Sequence, residues 1–538
     1  MQVHDDVTFI FTDEQENTET FFQGYCFCGN DYIYGNKGYL KFIEDTGKKI
    51  YFGHDGCYVM SEWVEGTRYF YTDYSGFKTI FYYWTDKCWA VSNSLILIAD
   101  YMKKKKISIQ PNPLQLESII VPRGPLFNQL FSLNTFIEGV KVLPCRCILS
   151  INKKQCTVYR SVMKDSEEKH INDYAQGLDN YINVWCSRLA ALIRDKNIFL
   201  QSDLTGGADS RTVFALLKKS CDIINDKNKA LDLPVINTDF SDNKNVDFQI
   251  ASIITERFKF PHNKNCPIIK KNYSGKESYE AWKKLCLGVY YPVYFNSVAP
   301  QSTFIQLGGI GAENHRRFYN YDNLTAFKKV YSKKLPFRYV EQFQNEIDYE
   351  ISRLTKINQK IDALILHYRE YRYRLHGGRT PRYRTSFTPL GSFLLDNVSD
   401  LAGEKRIGLG MINYDIMNFL LPEILDIPFD SEKKEFNEER KKNCTILTGE
   451  ITITPGHTYY DSEELIALPS KSVIGTPYDF LYEEFLEAVN KPFVKNFFDS
   501  KFLNDTREIA ETAVAAQKFE HAVFGQGIHA VIAASIFD

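Results

Sequence analysis

The stretch Ile198-Phe199-Leu200-Gln201-Ser202-Asp203-Leu204-Thr205-Gly206-Gly207-Ala208-Asp209-Ser210-Arg211 constrains the fold of this 538-residue chain more than any other segment. An apolar run opens it, as a buried strand does. A Gly-Gly turn flanked by hydroxyl residues breaks the run, and Val213, Phe214, Leu216 and Leu217 then recur at helical spacing. Strand, glycine turn and helix in that order make an anion site. Two glycines let the backbone approach a phosphate closely, the amides of the turn point inwards, and the new helix presents its positive end to the same spot. Thr205 and Ser210 add hydroxyl donors, and Asp209 is an acid placed where a Mg²⁺ ion bridges phosphate oxygens. The plain alternative is a strand-to-helix turn with a capping Ser or Thr. The commoner nucleotide loops do not fit: no Lys follows the glycines, as a P-loop requires, and no third glycine completes a dinucleotide fingerprint.

The rest of the composition is that of a globular chain long enough for two or three domains, with 44% hydrophobic and 14% aromatic residues. Lys plus Arg number 65 against 67 Asp plus Glu, a balance that gives no support to a general nucleic-acid binder. The opening Met-Gln-Val-His-Asp-Asp-Val has neither a basic start nor an apolar core, so no signal peptide is expected. The most apolar run, Ala522 to Phe537, contains Gln526 and His529 and falls short of a membrane span. A soluble, cytoplasmic protein is expected. Twelve cysteines show no disulfide-like framework. The Cys26/Cys28 and Cys145/Cys147 pairs share a strand face, but nothing suitably spaced completes a metal site, and buried reduced thiols are the expectation.

Up to about residue 160 the sequence alternates in short runs: Val7 to Phe11, Phe21 to Phe27, Tyr32 to Tyr34, Arg68 to Thr72, Thr79 to Trp84 and Trp89 to Ser92. Gly, Asn and Asp turns separate them, which predicts stacked antiparallel sheets with few helices. Further on, helical spacing over Ile171 to Arg194 leads into the glycine-loop strand. A second strand is predicted over Leu231 to Asp239, and helices over Val246 to Phe258 and Lys276 to Leu287. This order marks an open parallel sheet, which binds ligands beyond the carboxyl ends of its strands. The run Ser302 to Leu307, ending in Gly308-Gly309-Ile310-Gly311-Ala312-Glu313-Asn314, is another apolar strand with an acid as its first charged residue.

Arg353 to Arg384 is basic and aromatic. On a continuing helix Arg369 and Arg372 lie one turn apart and suit an anionic substrate, while a solvated face with structural salt bridges suits the same residues. The tail from Thr506 to Glu520 reads as a helix broken at Gly525-Gln526-Gly527, without a functional account.

Thr205-Gly-Gly-x-Asp-Ser210 resembles the pyrophosphatase loop of enzymes that cleave ATP to AMP and pyrophosphate. The hairpin Asp73-Tyr74-Ser75-Gly76 with Tyr82-Tyr83 and Ser92-Asn93-Ser94, and Phe136-Ile137-Glu138-Gly139-Val140-Lys141-Val142-Leu143-Pro144, resemble the first domain of asparagine synthetase-like proteins. Gly308 to Asn314 is similar to the second signature of that family, with Glu313 in its acid's place and departures at Gly308, Ile310 and Asn314. Ser386 to Asp396 resembles its substrate-pocket wall, and Leu421-Pro422 followed by Lys433-Lys434 its lysine-bearing loop.

The resemblance implies an Ntn-hydrolase-like αββα sandwich over residues 1–165, then a PP-loop parallel α/β synthetase domain with helical C-terminal additions over 166–538. In glutamine-using members a Cys after the initiator Met releases ammonia. Here position 2 is Gln2, which implies a degenerate glutaminase. ATP and Mg²⁺ are the implied cofactors. The nucleotide is placed on Asp203, Leu204, Thr205, Gly206, Gly207, Asp209, Ser210, Asp239, Gly308, Gly309 and Gly311, the metal on Asp209 and Glu313, and catalysis on Arg211 and Lys434. The implied reaction is amide formation through an acyl-adenylate. It joins a carboxylate, first of all a nucleotide-linked sugar acid of surface polysaccharide synthesis, to an amine from outside this chain. Other branches of the family cyclise peptides or close β-lactam rings. A PP-loop enzyme acting on RNA, a non-catalytic partner subunit and a homodimer stay open.

Overall fold

The computed structural model describes residues 7–14, 19–121, 124–160, 173–225, 233–239, 245–264, 272–461 and 475–538. Two sheets stack over the first part of the chain. The smaller, antiparallel one runs Ile10–Thr12, Trp89–Ser92, Phe81–Trp84, Lys141–Val142 in space. The larger runs Cys156–Arg160, Cys147–Ile151, Thr67–Thr72, Gly56–Val64, Phe21–Cys28, Asp31–Tyr34, Thr458–Tyr459. Between them lies a core in which Phe9, Phe11, Trp89 and Val91 meet Val59, Phe70, Leu149 and Ile151.

Alternation along Phe21–Cys28 explains the layering. Phe22 and Cys26 pack on Tyr39 and Phe42 of the helix Gly35–Thr46, while Tyr25 and Phe27 point the other way. Helices Leu95–Lys104 and Pro113–Ile119 cover the smaller sheet, with Leu95, Ile98 and Leu116 against Phe81, Ala90 and Val142. The stacked antiparallel sheets agree with the sequence reading. Gly56–Val64 is a central strand that reading does not include, and Val7 to Phe11 becomes strand only at Ile10–Thr12.

In the second part four strands form a parallel sheet in the order Val235–Asn237, Phe199–Asp203, Phe304–Leu307, Ser386–Phe387. Ser202 is level with Ile236 on one side and Leu307 on the other, so Leu204, Thr238 and Gly308 reach one rim together. Leu178, Trp185 and Leu189 of the helix Tyr174–Arg194 and Val213, Phe214 and Leu217 of the helix Ala208–Asn225 share a core with Leu200, Ile305 and Leu307. The molecule is thus mixed α/β with both antiparallel and parallel sheets.

The 165/166 boundary lies outside the described residues, and the two parts are closely joined. Tyr25, Phe27 and Tyr32 belong to the core that holds Trp185 and Phe387, with the Phe27 and Phe387 ring centroids 4.5 Å apart. Arg374 Nε donates to the Gly76 carbonyl at 3.0 Å, and Arg382 Nε to that of Phe77 at 2.7 Å. Thr458–Tyr459 returns from the second part to pair, in parallel, with Asp31–Tyr34. The C-terminal helices Pro477–Ala488, Ser500–Ala516 and Gln526–Ala534 put Leu481, Phe485, Ala510 and Ile528 into one core with Leu95, Ile98 and Trp282. The expected break at Gly525-Gln526-Gly527 falls earlier: the long helix ends at Ala516, with Gln517 left-handed at φ 52°.

The basic stretch corrects an expectation. Helix Ala363–His367 runs into a π-helix over Tyr368–Gly377, whose bonds close one residue later than in an α-helix, so Arg369 and Arg372 do not stack one turn apart. Arg369 turns inwards to the Asn314 carbonyl, with Nη2 at 2.8 Å, and Arg372 Nη1 donates to Gln129 Oε1 at 2.8 Å. Neither forms the fork. No described helix is long and apolar enough to cross a membrane.

Candidate active site

The glycine loop lies where the sequence predicts, between the strand Phe199–Asp203 and the helix Ala208–Asn225. Its shape is held by its own hydroxyls. The Thr205 amide donates to Ser210 Oγ at 3.0 Å, and the two hydroxyl oxygens lie 3.0 Å apart. Asp247, in the first turn of the helix Val246–Phe258, accepts the Gly206 amide at 2.8 Å. The amides that open the loop helix have no acceptor within that helix, so an anion would meet them at its positive end.

The second loop is pressed onto the first. A Cβ on Gly309 would stand 2.9 Å from the Ser210 backbone nitrogen, so only glycine permits this approach. Gly308 donates its amide to the Phe387 carbonyl at 3.0 Å, and Gly311 takes φ +117° before the short turn Ala312–His315. This arrangement brings Asp209 and Glu313 together. Arg316 Nη2 bridges them, 2.9 Å from Asp209 Oδ2 and 3.0 Å from Glu313 Oε1. Asn413 Nδ2 donates to Asp209 Oδ1 at 2.7 Å. Burial raises the Asp209 pKa, Arg316 opposes that rise, and Glu313 adds to it.

A third segment completes the rim. The Asp430 amide donates to the Gly206 carbonyl at 3.2 Å, and Asp430 Oδ2 accepts from Lys434 Nζ at 2.6 Å. A Cβ on Gly207 would lie 3.8 Å from Lys434 Nζ, while Lys433 is exposed. Of the two predicted lysines, only Lys434 is brought to the loop.

Other predicted residues stand apart from the mouth of the loop. Arg211 is a correction: its guanidinium is buried and donates to the carbonyls of Ile424, Ile427 and Pro428, with Phe429 stacked beneath it. It positions a segment and touches no open space. The Leu204 side chain is buried, and Asp203 accepts from Gln306 Nε2 at 2.7 Å inside the sheet, where burial raises its pKa. Asp239 is exposed at the rim, the last described residue of its segment. Asp396, of the predicted pocket wall, instead accepts from the Tyr74 hydroxyl at 3.1 Å at the joint between the two parts.

The sequence reading omits Arg316, Asn413, Asp430 and Asp247. Arg316 carries a local signal, three residues beyond Glu313 on one short turn. Asn413 is a buried polar residue in the apolar helix Met411–Leu420, and that contrast marks it as well.

The donors here suit a hard cation. Asp209 and Glu313 offer oxygen only, and the described residues hold no group of three His, Cys, Asp or Glu arranged for a metal. Two carboxylates without a full cage match Mg²⁺ arriving with a phosphorylated substrate, because this ion takes one or two carboxylates and completes its shell with phosphate oxygens and water. Compared with known proteins, the chain matches no family model and no curated sequence.

Proposed function

We propose that this chain is an ATP-dependent, AMP-forming carbon–nitrogen ligase of the asparagine synthetase-like type, using Mg²⁺. The observation that carries the reading is the meeting of Lys434 and the Asp209–Glu313 pair at the Gly206-Gly207 loop. They meet at the carboxyl rim of a parallel sheet, where open α/β folds hold their ligands. In this reading the sandwich of the first part is an Ntn-hydrolase-like scaffold, and the parallel-sheet part is a PP-loop synthetase.

Asp209 and Glu313 would hold the magnesium ion, which supplies charge neutralisation of the phosphates. The loop amides and Lys434 face the phosphate oxygens, where negative charge builds during transfer. A carboxylate oxygen of the substrate attacks the α-phosphorus, the α–β anhydride bond breaks, and pyrophosphate leaves with the electron pair. The amine nitrogen then attacks the acyl carbon, AMP departs, and the amine gives up a proton. Gln2, which lies outside the described residues, leaves the first part without the family's nucleophile, so the amine comes from solution or from the substrate. A nucleotide-linked sugar acid is the first-choice carboxylate. Peptide cyclisation, RNA modification and a binding subunit are the alternatives.

The test is ATP–pyrophosphate exchange with Mg²⁺, screened against pools of nucleotide-linked sugar acids, amino acids and peptides, with Asp209→Ala as control. Exchange that needs one carboxylate and vanishes in the variant supports the ligase. ATP binding without exchange, in the presence of amines or partner proteins too, overturns it in favour of a binding subunit.

A further inference from the structure

We propose that Arg316 is the resident counter-cation of the acid pair. It holds Asp209 and Glu313 together in the nucleotide-free protein and yields them to a divalent metal only when nucleotide phosphate is present to take the guanidinium. This rests on the ATP reading above and adds to it an order of assembly.

The geometry is that of a stand-in ion. A single nitrogen, Nη2, lies 2.9 Å from Asp209 Oδ2 and 3.0 Å from Glu313 Oε1, and Nη1 reaches Asp209 Oδ1 at 3.4 Å. All three hydrogen bonds go to the two carboxylates that the metal would need. Other arginines of the second part are spent differently. Arg211, Arg369, Arg374 and Arg382 are buried and donate to backbone carbonyls, which fixes them in the architecture. The Arg316 side chain is 37% exposed and each carboxylate 25%, so it has an open path out of the bridge. It sits in extended backbone just past the turn Ala312–His315, free of helical packing.

Charge balance gives this arrangement a consequence. Without a cation the two carboxylates would repel across a partly desolvated gap. A guanidinium stays protonated at any working pH and binds phosphate as readily as carboxylate, through the same fork. Swinging from the acids to a phosphate therefore leaves every charge paired, provided a divalent ion takes the vacated bridge. A metal arriving alone must expel Arg316 into water with no partner. Free metal binds weakly as a result, and metal and nucleotide bind cooperatively.

The experiment uses the full chain and Mn²⁺ as a paramagnetic stand-in for Mg²⁺, read by electron paramagnetic resonance with and without a non-hydrolysable ATP analogue. Wild type is expected to bind Mn²⁺ poorly until the analogue is added. Arg316→Gln is expected to bind Mn²⁺ without nucleotide at least about tenfold more tightly than wild type. Glu313→Gln in the Arg316→Gln background should remove that gain, which places the ion at the acid pair. Arg316→Lys keeps the charge and should retain part of the suppression, so a poorly folded Gln variant does not decide the matter; circular dichroism monitors both. Equal Mn²⁺ affinity of wild type, Arg316→Gln and Arg316→Lys without nucleotide overturns this proposal, and nucleotide-dependent Mn²⁺ binding would still support the ATP reading. No Mn²⁺ binding by any form, with or without the analogue, overturns both.

Discussion

Arg211 Nη1 donates to the carbonyl oxygen of Ile427 at 2.8 Å, across 216 residues of sequence, while its guanidinium lies 3.8 Å above the Phe429 ring. Arg211 stands in the first turn of the loop helix, so this contact ties the glycine loop to the segment that presents Asp430 and Lys434. Replacing Arg211 by Met strands the carbonyls of Ile424, Ile427 and Pro428 in a buried place. The expected cost is about 3 kcal/mol of stability, from hydrogen bonds to a charged group. Nucleotide affinity is expected to fall as well, although Arg211 touches no ligand. Urea unfolding and nucleotide titration read the two effects, and unchanged stability would sink the clamp.

The two adjacent lysines separate cleanly. Lys434 Nζ is held 2.6 Å from Asp430 Oδ2 beside the glycine loop, and Lys433 faces solvent. Lys434→Ala is expected to lower pyrophosphate exchange about 100-fold, the usual scale for one lost charge stabiliser at a reacting phosphate. Lys433→Ala should leave it near wild type. Equal losses in both variants would show that the lysines act only through general charge.

The glycine loop was legible because its chemistry is local: strand, turn, hydroxyls and helix follow one another within Ile198 to Arg211. The same locality made Glu313 readable. What stayed hidden depends on distant partners. Asp430 meets Gly206 and Asn413 meets Asp209 across more than 200 residues, and nothing in either sequence neighbourhood names the partner. Arg211 and Arg369 show the converse. Both sit beside signature residues and read as ligand contacts, yet both are buried on backbone carbonyls, and the residue type alone does not separate those uses. The π-helix at Tyr368–Gly377 lies beyond any reading that assumes a helical period of 3.6.

Gly308 and Gly309 form a paired test of the contact between the loops. A Cβ on Gly309 would lie 2.9 Å from the Ser210 nitrogen and 3.1 Å from its Cα, against backbone that cannot rotate away. A Cβ on Gly308 meets nothing within 4 Å. Gly309→Ala is expected to push the second loop off the first, at about 1–3 kcal/mol of strain, and to weaken nucleotide binding. Gly308→Ala should be tolerated. Thermal melts and nucleotide titrations compare the two, and a tolerated Gly309→Ala would mean that the loops do not need this closeness.

Two buried histidines set an acid limit on stability that is independent of any catalytic role. His367 Nε2 donates to the Phe131 carbonyl at 3.0 Å, and His529 Nε2 accepts the Gly288 amide at 2.7 Å. In both rings Nδ1 is buried without a hydrogen-bond partner, so neither has an acceptor for a second proton. Burial pushes the pKa of His367 down to about 4 and that of His529 to about 3. Unfolded, each ring titrates near its ordinary value of about 6.5. Below that pH the unfolded chain takes up protons that the native chain refuses. The stabilising share of each histidine is therefore complete above pH ~6.5 and is lost as the pH falls towards the folded values. Each histidine contributes about 1.4 kcal/mol per pH unit across that window. Carboxylates titrate in the same range, so the readout is the difference between wild type and His529→Gln, a side chain that carries no charge at any pH. Urea unfolding at pH 7, 6 and 5 should show the variant losing stability less steeply by one proton's worth. Parallel curves would mean that His529 takes up a proton in the folded protein as easily as in the unfolded one.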